Sequence, residues 1–388
     1  MSKKTALILS GGGARGAYQV GVLKGLAEIL KTKKIDNPFK ILSGVSAGAI
    51  NTAQLASCHD DFSTSVEKLV YLWSQLKSDQ VYKMNLFSIS NFSLAGLFSA
   101  QTKPKINLNS LLDTAPLRKL LLDHINFDHI QENIKNKKYD SVIITANNYL
   151  DNAAVSFISD LKKVDSKVKS KNKTWNDSRR IPQYTNLNVD HVMASAAIPV
   201  LFPPININGI DYGDGCVRNN TPCSPSLRMG ADKLFVIGVR TQKNFDQAVE
   251  NQISKPTLKK QASLITIINT LLNAVLLDSV EQDVQRILRI NELVKTVKTK
   301  DALSNQLKEI PALCVSPSIN IGSLARQYAH KLPRLLRTSL NTFGSLDDAN
   351  EIISYLMFDS EFCKKLIAYG YDDAYSNKKE IFSFFEIE

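Results

Sequence analysis

Gly44-Val45-Ser46-Ala47-Gly48 is a G-x-S-x-G pentapeptide. On a sharp strand-to-helix turn, that pattern presents a serine hydroxyl as a nucleophile. A hydroxyl needs a base, and the usual partner is a histidine oriented by an acid. The chain has five histidines. His330 lies in a basic helical stretch, RQYAHKLPRLLR. His59 ends the helix that leaves Ser46, His124 and His129 flank a loop, and His191 begins another helix. None has the strand-end, glycine-flanked setting of a catalytic base. Asp214 has it, in YGDGC (212–216), between Gly213 and Gly215 and just before the turn NNTP (219–222). An aspartate of about pKa 3.9 is a poor base in water, so this role requires a desolvated carboxylate in direct reach of Ser46. The plainer alternative is an aspartate that only shapes its turn.

The second constellation is GGGARG (11–16), Gly11 to Gly16, placed after an apolar run and before a helical pattern. G-x-G-x-x-G also describes a dinucleotide loop, but that reading requires an acid at the end of the second strand. Here that strand runs into Ser46, with Asp36 before it, and no G-K-[ST] follows the glycines. The better reading is a set of amide donors at a helix N-terminus, which favours an anion. Beside a nucleophilic serine, that anion is the oxyanion of a tetrahedral intermediate, held by the amides of Gly12, Gly13 and Ala47. Glycines that merely permit a tight turn remain the alternative.

These residues must be positioned by the elements around them. TALILS (5–10) and FKILSG (39–44) read as strands, and AYQVGVLKGLAEILK (17–31) as a helix. Strand and helix alternating over short turns begin a parallel α/β sheet. YDSVIITANNY (139–149), AAVSFIS and DKLFVIGVR (232–240) add strands, and residues 62–76 a helix. SLLDTAPLRKLLLDHI reads as two short helices broken near Pro116, after a looser connection over 84–110. The apolar stripe of 264–294 predicts one long helix or two consecutive ones packed against the sheet. LPRLLRTSLNTF and NEIISYLMFDSEFCKKLIAYG close the chain as helices. The expected organisation is a catalytic domain over 5–240 and a helical region over 245–388 packed on or covering it.

Composition narrows the class further. With 388 residues and 44% hydrophobic content, the chain has the makings of a sizeable core. Five scattered cysteines, with no CxxC pair, suggest reduced thiols rather than a disulfide framework. The net charge is +11, and residues 161–180 hold eight Lys or Arg against two Asp. No nucleic-acid-binding signature accompanies them, so nucleic acid is not expected as a partner. A solvated loop is the plain reading of 161–180, and transient contact with an anionic membrane surface the sharper one. Neither a signal-peptide pattern nor an eighteen-residue apolar run is present. The expected location is therefore cytoplasmic, with peripheral membrane contact and signal-less export left open.

Taken together, GGGARG, GVSAG and the Asp214-Gly215 pair resemble the patatin-like phospholipase family. ASAAIPVLFPP (194–204) and NNTP are similar to further family segments, in the family's order, and the resemblance spans roughly residues 5–240. It implies a three-layer α/β/α patatin-like fold with a central, mostly parallel sheet and a helical C-terminal region. It also implies a Ser–Asp dyad that hydrolyses lipid acyl esters of phospholipid or lysophospholipid without a metal cofactor. Ser46 matches the family nucleophile and Asp214 its base, while Gly11, Gly12, Gly13 and Arg15 match its oxyanion loop. An acyltransferase, a general carboxylesterase or a catalytically weak lipid-binding protein are the alternatives. Cys216 departs from the family's D-G-[GA] pattern, and would be strained if that position needed a positive φ.

Overall fold

The computed structural model describes residues 3–84, 110–161, 175, 179–241, 263–276, 279–296, 308–343 and 345–387. Most of the basic stretch 161–180 and of the connection 84–110 lies outside the described residues.

The apolar runs read from the sequence become β1 (Thr5–Leu9), β2 (Phe39–Val45) and β10 (Lys233–Ile237), and β1 and β10 are buried at every position. Continuous burial of this kind belongs to a parallel sheet covered on both faces. Among the described residues the sheet runs β11-β10-β1-β2-β5-β6-β7, with β5 Ser141–Asn148, β6 Ala153–Asp160, β7 Arg180–Tyr184 and β11 Ala312–Val315. From β11 to β5 every neighbouring pair is parallel. β6 then turns antiparallel to β5, and a hairpin of β8 (Ile205–Ile207) and β9 (Ile210–Asp214) pairs with β5 through β9. A separate short ladder joins β3 (Lys83–Met84) to β4 (Leu112–Asp113).

On one face lie α1 (Gly16–Lys31), α2 (Ala47–Ser57) and α3 (Phe62–Ser74), whose apolar sides share the main core with Phe39, Leu42 and Phe235. Residues 112–124 form β4 and then one helix, α4 (Ala115–His124), rather than two helices broken at Pro116. Pro116 stands in the first turn, where a missing N–H costs nothing, and so it starts the helix. α5 (Asp128–Lys135) follows, then α6 (Val189–Ser195) and α7 (Ser224–Arg228).

The stripe over 264–294 divides into α8 (Leu264–Leu276) and α9 (Ser279–Thr296). α9 buries Val280, Val284 and Ile287 with Leu234 and Val236 of β10, on the face opposite the main core. The chain then adds β11 at the sheet edge, so among the described residues beyond 245 the helices are joined by this strand. Further helices follow: α10 (Ile321–Gln327), α11 (Arg334–Phe343), α12 (Asn350–Leu356), α13 (Ser360–Ser376) and α14 (Lys378–Phe385). α12 and α13 divide at Met357–Asp359, where Asp359 caps α13 through the amides of Glu361 and Phe362. Among the described residues, no helix is long and apolar enough to cross a membrane.

Candidate active site

The register of the sheet brings the sequence motifs together. Val45, the last residue of β2, pairs with Thr145 of β5, and the next β5 residue, Ala146, pairs with Asp214 of β9. β6 covers one edge of β5 along its length, so β2 and β9 lie end to end on the other edge and bring Ser46 and Asp214 to adjacent positions. On the other side of β2, Leu9 pairs with Gly44, which sets the Gly11 loop beside the serine. A Cβ on Gly11 would lie 3.0 Å from Ser46 Cβ and 2.3 Å from Cys216 Sγ. Gly48 packs against the end of β1, where a Cβ would meet the Leu9 carbonyl oxygen at 2.2 Å, so the turn closes only with glycine there.

Ser46 is the N-cap of α2, with φ 55° and ψ −123°. A non-glycine residue held there stores about 1–3 kcal/mol of strain, which the surroundings must offset. They do so through Ser195, at the end of α6. Its Oγ accepts the Ser46 amide at 2.9 Å and donates to the Thr145 carbonyl at 2.6 Å. The strain holds the side chain at a helix N-terminus, where the first-turn amides have no intrahelical acceptor.

Asp214 is fully buried. Its Oδ1 accepts the Cys216 amide at 2.9 Å, while Oδ2 has no partner of acceptable hydrogen-bond geometry. Burial raises its pKa to about 6, against the opposing effect of the Ser46 hydroxyl, which is close enough to favour the charged form. One free carboxylate oxygen beside a serine hydroxyl is the arrangement that accepts a proton. The backbone around it is fixed as well. The Asp214 amide donates to Ala197 O at 2.8 Å, and Asn219 N to Gly215 O at 3.1 Å. Arg180 of β7 ties this turn down through Asn219 Oδ1 at 2.8 Å and Thr221 Oγ1 at 3.0 Å. Gly215 lies against Thr145, where a Cβ would meet the carbonyl oxygen at 2.1 Å.

Cys216 is not among the positive-φ residues, so the departure from D-G-[GA] carries no backbone strain. Its thiol fills the space between the Gly11 loop and Asp214. Burial and the neighbouring carboxylate push its pKa well up, so it remains a neutral thiol.

Arg15 belongs to the loop but does not face the serine. It is buried, donating through Nε to Ser354 Oγ at 2.8 Å and pairing with Glu351, and its guanidinium lies 4.9 Å from the centre of the Tyr355 ring. Its guanidinium is thereby committed to α12, so it orients the loop and is not itself an oxyanion donor. Gly13, with φ 57°, sits against the Tyr355 carbonyl and completes the same joint. Gly16 packs beside Trp73 and Ala47.

The serine opens onto an apolar cleft. Gly13, Ser46 and Ala47 share its wall with Ile50, Leu117, Leu121, Phe202 and Phe358. Its free volume is about 30 Å³, room for a water molecule or two. The histidines stand aside. His191 is buried against Phe157 with its pKa lowered to about 4 by burial, and its Nδ1 accepts the Asn188 amide at 3.0 Å. His59 and His330 are exposed.

Residues 7–227 match the family described as Patatin-like phospholipase. A "Probable lipid hydrolase 463L" of Invertebrate iridescent virus 6 is 28% identical over 226 residues, 57% of this chain. The match spans 63% of the length of that relative. Among solved structures, VipD from Legionella pneumophila aligns over 98% of this chain and 67% of its own, at 14% identity and a TM-score of 0.35. That likeness is too distant to carry any conclusion.

Proposed function

The chain belongs to the patatin-like phospholipase family, and we propose that it hydrolyses fatty-acyl esters of phospholipids or lysophospholipids through Ser46 and Asp214. The observation that carries this reading is a strained, buried serine facing a buried carboxylate with one free oxygen, at the mouth of an apolar cleft. The probable lipid hydrolase of the virus, by its description, points the same way.

In this mechanism the acyl chain enters the cleft and the ester carbonyl lies against the Gly12, Gly13 and Ala47 amides. Asp214 takes the Ser46 proton as Oγ attacks the carbonyl carbon, and the amides hold the oxyanion. The proton passes from Asp214 to the departing alkoxide, leaving an acyl ester on Ser46. Water then attacks that ester, giving a proton to Asp214, and collapse releases the fatty acid and returns the proton to Ser46.

Incubation with phosphatidylcholine and lysophosphatidylcholine, followed by mass spectrometry, tests the proposal. The wild type is expected to release fatty acid, and Ser46→Ala and Asp214→Asn to lose at least about 10³-fold in rate while keeping their fold. Labelling of the wild type by a fluorophosphonate should be absent in Ser46→Ala. Undiminished hydrolysis by either variant would sink the dyad.

A further inference from the structure

At the far end of α2 from Ser46, about 16 Å along an eleven-residue helix, three metal-ligating side chains meet. We infer that His59, His129 and Glu132 form a binding site for a divalent transition-metal ion of the zinc type. A donor atom from each lies within 4.8 Å of the others. His59 Nε2 is 3.1 Å from Glu132 Oε2, and the two imidazole rings lie 4.0 Å apart, centre to centre.

Two features separate this group from a chance surface pair. His129 and Glu132 are three residues apart on α5, so one helix face offers both while His59 approaches from the loop after α2. The second feature is the support behind His59. Its Nδ1 lies 2.9 Å from Oδ1 of Asn133, a buried side chain. The Asn133 amide cannot turn, because its Nδ2 donates to the carbonyls of Ala56 at 2.8 Å and Cys58 at 2.9 Å. Oδ1 therefore faces the ring as an acceptor, and Nδ1 carries the proton. That leaves the lone pair of neutral His59 on Nε2, the nitrogen directed at Glu132. A buried partner that fixes the tautomer of a histidine is the usual support of a metal ligand.

Imidazole nitrogens and a carboxylate suit Zn²⁺, at metal–ligand distances of about 2.0–2.2 Å, which puts tetrahedral donors about 3.4 Å apart. The His59–Glu132 pair already meets that spacing, and the side chains of His59 and Glu132 are solvent-accessible enough to adjust. Three protein ligands leave a fourth position to water. Bound there, the ion ties the loop after α2 to α5 and stays clear of the Ser46 chemistry.

Titration of the full chain with Zn²⁺ by calorimetry, and with Co²⁺ by absorbance, tests this site. One equivalent of Zn²⁺ is expected to bind and to raise the melting temperature. His129→Ala and Glu132→Gln should each weaken binding by roughly tenfold or more, with the metal-free melting temperature and ester hydrolysis of Glu132→Gln unchanged. The Co²⁺ complex should show visible bands with no thiolate charge-transfer band. The inference is overturned if no saturable binding occurs, if affinity is unchanged in these variants, or if a charge-transfer band puts the ion on cysteine.

Discussion

At Asp214, catalysis and stability pull in opposite directions. Burial raises its pKa from 3.8 to about 6, so folding favours the protonated acid while the proposed reaction needs the carboxylate. Ester hydrolysis should therefore rise with pH through about 6 and level off above it, as a pH–rate profile of kcat/KM would show. The sign for stability is the reverse. Below 3.8 both folded and unfolded chains hold the proton, and the group contributes nothing to pH dependence. Between the two values the folded chain binds more protons, so stability falls as pH rises, and above 6 the full cost of a desolvated carboxylate is present. Asp214→Asn removes that cost and keeps an oxygen for the Cys216 amide. It should be inactive yet more stable at pH 7.5, by an amount on the order of 1–3 kcal/mol, with the gain vanishing near pH 4. Denaturant melts of both proteins at the two pH values measure it, and an equal or lower stability at pH 7.5 would contradict the assignment. The glycines that mark Ser46 and Asp214 are local in sequence, which is why both residues were legible. Ser195 was not: it sits within ASAAIP as an ordinary small residue, and only the fold brings its hydroxyl between the Ser46 amide and Thr145. The resemblance likewise placed Arg15 with the oxyanion loop without saying what its side chain meets. Its partners, Ser354 and Glu351, lie more than three hundred residues away and tie its guanidinium to α12.

Among the elements, α4 decides what the cleft can hold. It supplies Leu117, Leu120 and Leu121 to the wall, opposite Ile50 of α2 and Phe202 beyond α6. About 30 Å³ of free space holds a water molecule or two, so the proposed function requires this wall to move outward to admit an acyl chain. α4 is suited to that, since Leu117 and Leu121 face the core while Leu122 is 56% exposed. Leu121→Trp adds bulk inside the cleft without touching Ser46 or Asp214. It should cut hydrolysis of a sixteen-carbon nitrophenyl ester by about tenfold or more, a loss of roughly 1.4 kcal/mol in transition-state binding, while leaving the acetate ester within about threefold, or about 0.7 kcal/mol. Equal losses on both esters would mean that the chain lies elsewhere. The helix itself was only partly legible, because Pro116 reads as a breaker until its first-turn position is known. β11 was missed for a different reason. Four residues, Ala312–Val315, are too short to show a period, and only pairing with β10 makes them a strand.

For the whole molecule, the question is whether the region that carries the motifs folds without the rest. A division near 240–245 follows naturally from the sequence, since every catalytic motif precedes it. The packing argues against independence. α13 crosses α1 at backbone contact: a Cβ on Gly21 would meet the Ile367 carbonyl oxygen at 2.1 Å, and one on Gly370 the Tyr18 carbonyl oxygen at 2.2 Å. Tyr18 Oη donates to the buried Asp373 across the same joint at 2.8 Å. Such long-range fits leave no local pattern, because small residues on one helix face announce neither a partner nor its distance along the chain. Beyond 350, Ile353, Tyr355, Leu356, Phe362, Leu366 and Ile381 are almost wholly buried. At about 2 kcal/mol for each large apolar side chain, these six alone contribute roughly 12 kcal/mol, comparable with the roughly 5–15 kcal/mol that holds a typical protein folded. A fragment of residues 1–241 also strips the Arg15 guanidinium of Glu351, Ser354 and Tyr355 and exposes the edge of β10. It should therefore be recovered in aggregates, or as a species with helical far-ultraviolet signal, no near-ultraviolet signal and no labelling of Ser46. Co-expression of the 1–241 and 263–388 fragments is expected to restore soluble, labelled protein, since the lost contacts are non-covalent. A soluble 1–241 fragment that unfolds cooperatively and reacts with fluorophosphonate would instead make the C-terminal region an accessory rather than a part of the catalytic core.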